Sequence, residues 1–185
     1  SDYLATLPEL AVKSVRAKES QLNLEKERAQ EIKEAYYATI SFVDAQVGRI
    51  LDQLETSGLD KNTVVVFTSD HGYHLGEHGH WQKNTLFENA TRVPLIISAP
   101  SSENKGVKSI SPVELIDLYP TLMDLTNINT PEHVVGKSLQ PIMKNVNKKI
   151  IIFHISRFAK LSNLISYQTI PIILKNNYKI LLRLI

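Results

Sequence analysis

The sequence predicts an α/β fold, a mixed and mostly parallel sheet with helices on both faces. Three observations carry that expectation. A long segment with apolar residues at three- and four-residue spacing runs straight into a short β-branched stretch. A second apolar stretch follows after a polar loop, and another helical pattern comes after that. The stretches are continuous rather than alternating, as strands covered on both faces are. Helix, strand, loop, strand, helix is the order such a layered sheet requires.

The elements follow in order. Residues 1–20 read as loop with short helical pieces around Pro8. Residues 24–57 read as one helix, in which Ala35, Ile40, Val43, Val47, Ile50, Leu51 and Leu54 recur at helical spacing, with a polar start at Glu25, Lys26, Glu27 and Arg28. Gly58 stops it. Residues 64–68 read as a buried parallel strand. Residues 69–83 hold four histidines and three glycines and read as a loop at that strand's carboxyl end. Residues 86–90 suggest one helical turn, and residues 93–98 a second strand closed by Pro100. Residues 101–109 read as a surface turn. Residues 112–125 read as a helix with Leu115, Leu118, Leu122 and Leu125 inward. Residues 131–136 are expected to be loop, 138–144 a short helix and 150–154 a strand. Residues 164–185 suggest a hairpin turning at Asn176-Asn177, with 178–182 as its return strand. The division expected is 1–145 as part of one domain, and 146–185 as the start of a small C-terminal antiparallel subdomain, truncated or frame-shifted.

Bulk properties exclude some functions. With 21 basic and 19 acidic residues the net charge is +2, so neither nucleic acid nor an anionic membrane surface is an expected partner. There is no cysteine, hence no disulfide, thiolate metal site or cysteine nucleophile within these residues. No apolar run approaches the roughly 20 residues of a membrane span, and no signal peptide is visible.

The chemistry concentrates in residues 68–83. Asp70 and His71 directly follow a strand, so a rigid element fixes them. A carboxylate beside an imidazole offers one hard and one borderline metal ligand. Two ligands are not a full calcium site, which takes six to eight oxygens. Lys83 lies close by in sequence and suits a bound oxyanion as a compact point charge. Each has a blander reading: Asp70 and His71 as a capping pair, Lys83 as a surface lysine, Trp81 as a packing residue. His74 and His80 are expected to be solvated loop residues, and four close histidines also suit adventitious nickel or zinc. Arg92 opens the second strand, expected to be the end opposite the carboxyl end of the first, so a structural ion pair is expected for it.

The ordered text around these residues narrows the choice. Ser69-Asp70-His71-Gly72, Leu75-Gly76-Glu77-His78-Gly79, Trp81, Lys83, Phe87-Glu88 and Ala90-Thr91-Arg92-Val93-Pro94-Leu95-Ile96 together resemble the sulfatase family. The string is most similar to its iduronate-2-sulfatase-like and choline-sulfatase-like branches. Ala35-Tyr36-Tyr37-Ala38 through Leu51, Val113 through Leu122, and Gly136-Lys137-Ser138-Leu139 extend the resemblance over roughly residues 30–145.

The resemblance implies an alkaline-phosphatase-like sandwich and a sulfuric ester hydrolase. It implies one divalent metal, usually calcium, with Asp70 and His71 as two of its ligands and Lys83 on the sulfate. His78 and Trp81 would line the site. It implies a formylglycine nucleophile made from a cysteine in C-x-P-x-R, a motif these residues lack, so this chain is expected to be a C-terminal part with the nucleophile in an N-terminal half. The expected substrate is a sulfated small molecule or carbohydrate, glycosaminoglycans included, and export is the family's habit. Two alternatives remain at this point: a phosphonate or phosphodiester hydrolase of the same superfamily, and an inactive metal-binding remnant.

Overall fold

A computed structural model describes residues 5–16, 19–22, 24–147 and 180–184. The helices are α1 (Glu9–Arg16), α2 (Lys26–Thr56), α3 (Glu88–Thr91), α4 (Leu118–Leu125) and α5 (Gln140–Lys144). The strands are β1 (Val65–Thr68), β2 (His74–Leu75), β3 (Trp81–Gln82), β4 (Pro94–Ser98), β5 (Val107–Val113) and β6 (Ile180–Leu184).

Four strands make the main sheet in the order β1-β4-β6-β5. β4 runs antiparallel to β1, with Val65 opposite Ser98 and Thr68 opposite Leu95. β6 is antiparallel to β4 and parallel to β5. The expected mostly parallel sheet is therefore corrected: among the described residues the pairings are mostly antiparallel. The reason lies in the connection. A parallel return needs a crossover, usually a helix laid across the sheet. The only α-helix in residues 69–93 is the four-residue α3, so the chain turns at the end where it left β1 and runs back.

The core is built around β4. Leu95, Ile96 and Ile97 are all buried, which explains the continuous apolar run: this strand is covered on both faces. Val93, Leu95, Ile97 and Ala99 pack with Val113 of β5 and with Leu139, Ile142 and Met143 at α5.

A buried carboxylate ties α4 to the segment before α5. Asp117 accepts N–H bonds from Glu114 and Lys137, each at 2.9 Å. The Leu139 N–H bonds the Thr121 hydroxyl at 2.8 Å. A Cβ at Gly136 would lie 2.1 Å from the Ile116 carbonyl oxygen, so only glycine passes there. That contact is the physical content of the Gly136-Lys137-Ser138-Leu139 turn.

Several expectations shift. Residues 107–113, assigned to a turn and a helix start, form β5, and the helix begins at Leu118 after a 3-10 turn over Leu115–Asp117. Leu115 is therefore 41% exposed rather than inward. No residue of α2 is buried: Ile40, Val43 and Ile50 are 49%, 50% and 67% exposed, because no described element covers that stripe. β6 joins the main sheet. The strand expected over 150–154 and the rest of the C-terminal hairpin lie outside the described residues. No described helix is long and apolar enough to cross a membrane.

Candidate active site

β1 delivers Ser69, Asp70 and His71 to its carboxyl end. The loop is pinned directly after them. The Gly72 N–H donates to the Ala90 carbonyl at 2.7 Å. A Cβ on Gly72 would meet the Asn89 carbonyl oxygen at 2.0 Å and that of Arg92 at 3.0 Å. Glycine is needed for close approach, and the approach locks the Asp-His pair against the end of α3. The Ser69 hydroxyl donates to the His71 carbonyl at 2.8 Å and tightens the same bend.

The chain then makes a detour that sequence reading missed as structure. β2 and β3 form a small hairpin in which His74 faces Gln82 and Leu75 faces Trp81. A 3-10 turn over Glu77–Gly79 closes it, and His78 holds a left-handed backbone (φ 55°) between glycines 76 and 79. The Glu77 carboxylate accepts the Leu75 N–H at 2.6 Å. The effect is a return: Lys83, twelve residues on, comes back to His71.

At that meeting the Lys83 ammonium lies 2.6 Å from His71 Nε2. His71 Nδ1 lies 2.8 Å from the Gly72 carbonyl oxygen. A carbonyl only accepts, so the network assigns the proton to Nδ1 and leaves a lone pair on Nε2. Asp70 Oδ1 is 3.7 Å from the same Nε2, with its side chain 83% exposed. One cation at roughly 2.0–2.5 Å from an imidazole nitrogen and a carboxylate oxygen fits between two donors so spaced. Asp70 and His71 thus fit as part of a ligand set. Among the described residues no group of three or more histidines, cysteines or acidic residues is placed to hold a metal.

Beneath the hairpin lies an aromatic cluster. His78 stacks on Phe87 at 4.3 Å between ring centroids, and His74 lies 5.3 Å from His80 and 6.0 Å from Phe87. His74 and His80 are 0% and 2% exposed, so the expectation that they are solvated is overturned. They flank a glycine-bracketed turn, a hairpin signal that puts His74 on one strand and His80 directly before the other. His74 shares a 2.7 Å hydrogen bond with the Thr85 hydroxyl. Burial and the neighbouring His80 hold its pKa down at about 4.

Trp81 is buried against Gly76, and the Lys33 ammonium of α2 sits 6.0 Å from its ring centroid. His78 turns to Phe87. Tyr36 of α2 stacks on Tyr73 of the site loop at 5.1 Å, and burial raises the Tyr36 pKa. The long helix is therefore a brace for the loop. Arg92 makes the expected ion pair, with Glu88 at 3.2 Å. Its position is corrected, however: β4 runs antiparallel to β1, so its start lies at the same sheet end as Asp70.

Comparison with known proteins gives this geometry a context. The Sulfatase family profile matches residues 9–128, and the profile described as N-sulphoglucosamine sulphohydrolase, C-terminal, matches residues 76–181. A "Sulfatase" of Formosa agariphila is 44% identical over 115 residues, 62% of this chain and 22% of that protein. The iduronate 2-sulfatase of Homo sapiens is 37% identical over 126 residues, 55% of this chain and 23% of that protein. The chain thus spans between a fifth and a quarter of those relatives' length.

Two solved structures are similar in fold. One, described as a complex with its substrate D-glucosamine-2-N,6-O-disulfate, has a TM-score of 0.58 and 31% identity, covering 80% of this chain and 32% of its own. The other is a phosphonate monoester hydrolase from Silicibacter pomeroyi, with a TM-score of 0.62 and 35% identity, covering 66% of this chain and 24% of its own.

Proposed function

The chain belongs to the sulfatase family, and from that premise we propose that it forms the metal- and sulfate-facing part of a sulfuric ester hydrolase acting on sulfated sugars. The observation that carries the proposal is the convergence of Asp70, His71 and Lys83 at the end of β1.

Sulfate transfer places charge on the oxygens of the transferring group, and preorganised cations are the usual means of stabilising it. Lys83 supplies one such charge. Asp70 and His71 would hold a divalent ion, with calcium the family expectation. When bound, that ion polarises sulfate oxygens as a Lewis acid. His71 keeps its Nδ1 proton on the Gly72 carbonyl and so presents Nε2 outward. Arg92 stays with Glu88 and steadies the turn against which Gly72 is pinned.

The nucleophile is the proposal's outside component. With neither C-x-P-x-R nor S-x-P-x-R among residues 1–185, a formylglycine must come from outside them. The substrate class rests on the disulfated glucosamine held by one structural relative. An iduronate-type specificity is one option within it, supported by the relative of that name.

A second reading has its own support. The fold and 35% identity shared with a phosphonate monoester hydrolase favour phosphonate monoesters as substrates. The test is kinetic: kcat/KM of the full gene product on glucosamine 6-sulfate and on a phenyl phosphonate monoester. The sulfatase proposal expects the sulfate ester to be preferred. Preference for the phosphonate ester would replace it with the second reading.

A further inference from the structure

We infer that Lys83 and the divalent metal compete for one lone pair, that of His71 Nε2, so that seating the metal is what turns Lys83 toward the substrate's oxyanion. The inference rests on the reading of Asp70 and His71 as metal ligands.

The His71 imidazole has one acceptor. Its Nδ1 proton is committed to the Gly72 carbonyl at 2.8 Å, so Nε2 is the acceptor nitrogen. Gly72 cannot shift to change that, because its own N–H is held by Ala90 and its α-carbon is pressed against the Asn89 carbonyl. The lone pair on Nε2 serves one partner at a time. Lys83 takes it at 2.6 Å. Asp70 Oδ1 stands 3.7 Å from the same nitrogen, so a cation shared by the two would have to use that lone pair. A cation bonded to Nε2 removes the acceptor that Lys83 uses and repels the ammonium as well.

Lys83 is able to move. Its side chain is exposed and carries four methylene groups. Release needs only rotation of that chain, with the hairpin unchanged. The freed ammonium would then be available to an oxyanion bound beside Asp70 and His71, which would accept the hydrogen bond that His71 gives up. Metal and oxyanion then bind with positive coupling, and the coupling is reciprocal.

The test uses the full gene product, stripped with a chelator and labelled with 15N on histidine and lysine. Calcium is titrated while the His71 ring and Lys83 ammonium signals are followed. The expected result is that Nδ1 stays protonated, Nε2 shifts, and the Lys83 contact to His71 is lost in step with calcium binding. In parallel, calcium affinity is measured by calorimetry for wild type and Lys83→Met at low salt and at about 0.5 M salt, where exposed charges further apart than about 4–5 Å are strongly screened. Direct competition predicts on the order of tenfold tighter calcium in Lys83→Met, retained at high salt. Inorganic sulfate should bind wild type better with calcium present, and in Lys83→Met that gain should be smaller, leaving only the metal's own share. If calcium binds while the Lys83–His71 contact persists, or if the gain in Lys83→Met vanishes with salt, the competition is wrong and the metal ligands stand. If neither protein binds calcium, the metal reading fails first and the competition with it.

Discussion

Lys83 is an exposed lysine one residue past a two-residue strand, and nothing in its own neighbourhood marks it as chemical. It becomes chemical only through the hairpin that returns it to His71. Lys83→Ala in the full gene product is expected to lower kcat on a sulfate ester by about 10²–10³-fold, as loss of one charge stabiliser does. Unchanged steady-state kinetics would remove it from the site. Gly72 is expected to be as sensitive for a different reason. Gly72→Ala forces a methyl group onto the Asn89 carbonyl, and thermal melts should show about 1–3 kcal/mol of lost stability together with weakened metal binding. His74 gives the residue-scale pH prediction. It titrates near 4 when folded and near 6.5 when free, with His80, Glu77 and His78 as its titratable neighbours. Between those values the unfolded chain binds a proton that the folded chain does not. Stability therefore falls as pH drops below about 6.5, and the loss is complete near pH 4, at about 3 kcal/mol at most. His74→Gln should flatten urea midpoints over that window, and an unchanged slope would assign the acid sensitivity elsewhere.

At the scale of elements, the sequence was informative where one periodicity filled a whole segment. The helix over 24–57 and the strands over 64–68 and 93–98 emerge within two residues of α2, β1 and β4. It was misleading where direction or tertiary cover decides. The apolar content of β4 is the same in a parallel and an antiparallel strand, so its direction was illegible, and Arg92 was placed at the wrong end of the sheet. The stripe on α2 reads as a core face, yet the described residues leave it open. Replacing Ile40 and Val43 with glutamine in this 185-residue chain should accordingly shift stability by no more than about 0.5 kcal/mol, read by urea denaturation. A much larger loss would mean the stripe is covered. β5 was hidden because Pro112 reads as the start of a helix and the text before it as a turn; β5 lies at the edge of the described sheet, where a proline is tolerated. Asp117 was silent too, because a buried acceptor for two backbone N–H groups carries no spacing signal. Asp117→Ala should cost at least about 2 kcal/mol for the donors left unpaired.

For the whole molecule, family membership was legible because motifs spread over more than 100 residues keep their order, and that order reflects one sheet end assembled from distant text. Asp70 and His71 were legible as candidates for the same reason: they sit where a strand ends. What joins them to Lys83 was not, since a twelve-residue detour has no sequence period. Asp70, His71 and Lys83 at that sheet end are matched to the breaking of sulfate esters. The measurement that tests this most directly is kcat/KM of the full gene product on glucosamine 6-sulfate against a phenyl phosphonate monoester, for wild type and Lys83→Ala. Wild type is expected to prefer the sulfate ester, and Lys83→Ala to lose most of that activity. A wild-type preference for the phosphonate ester, or a sulfatase indifferent to Lys83, would contradict that expectation.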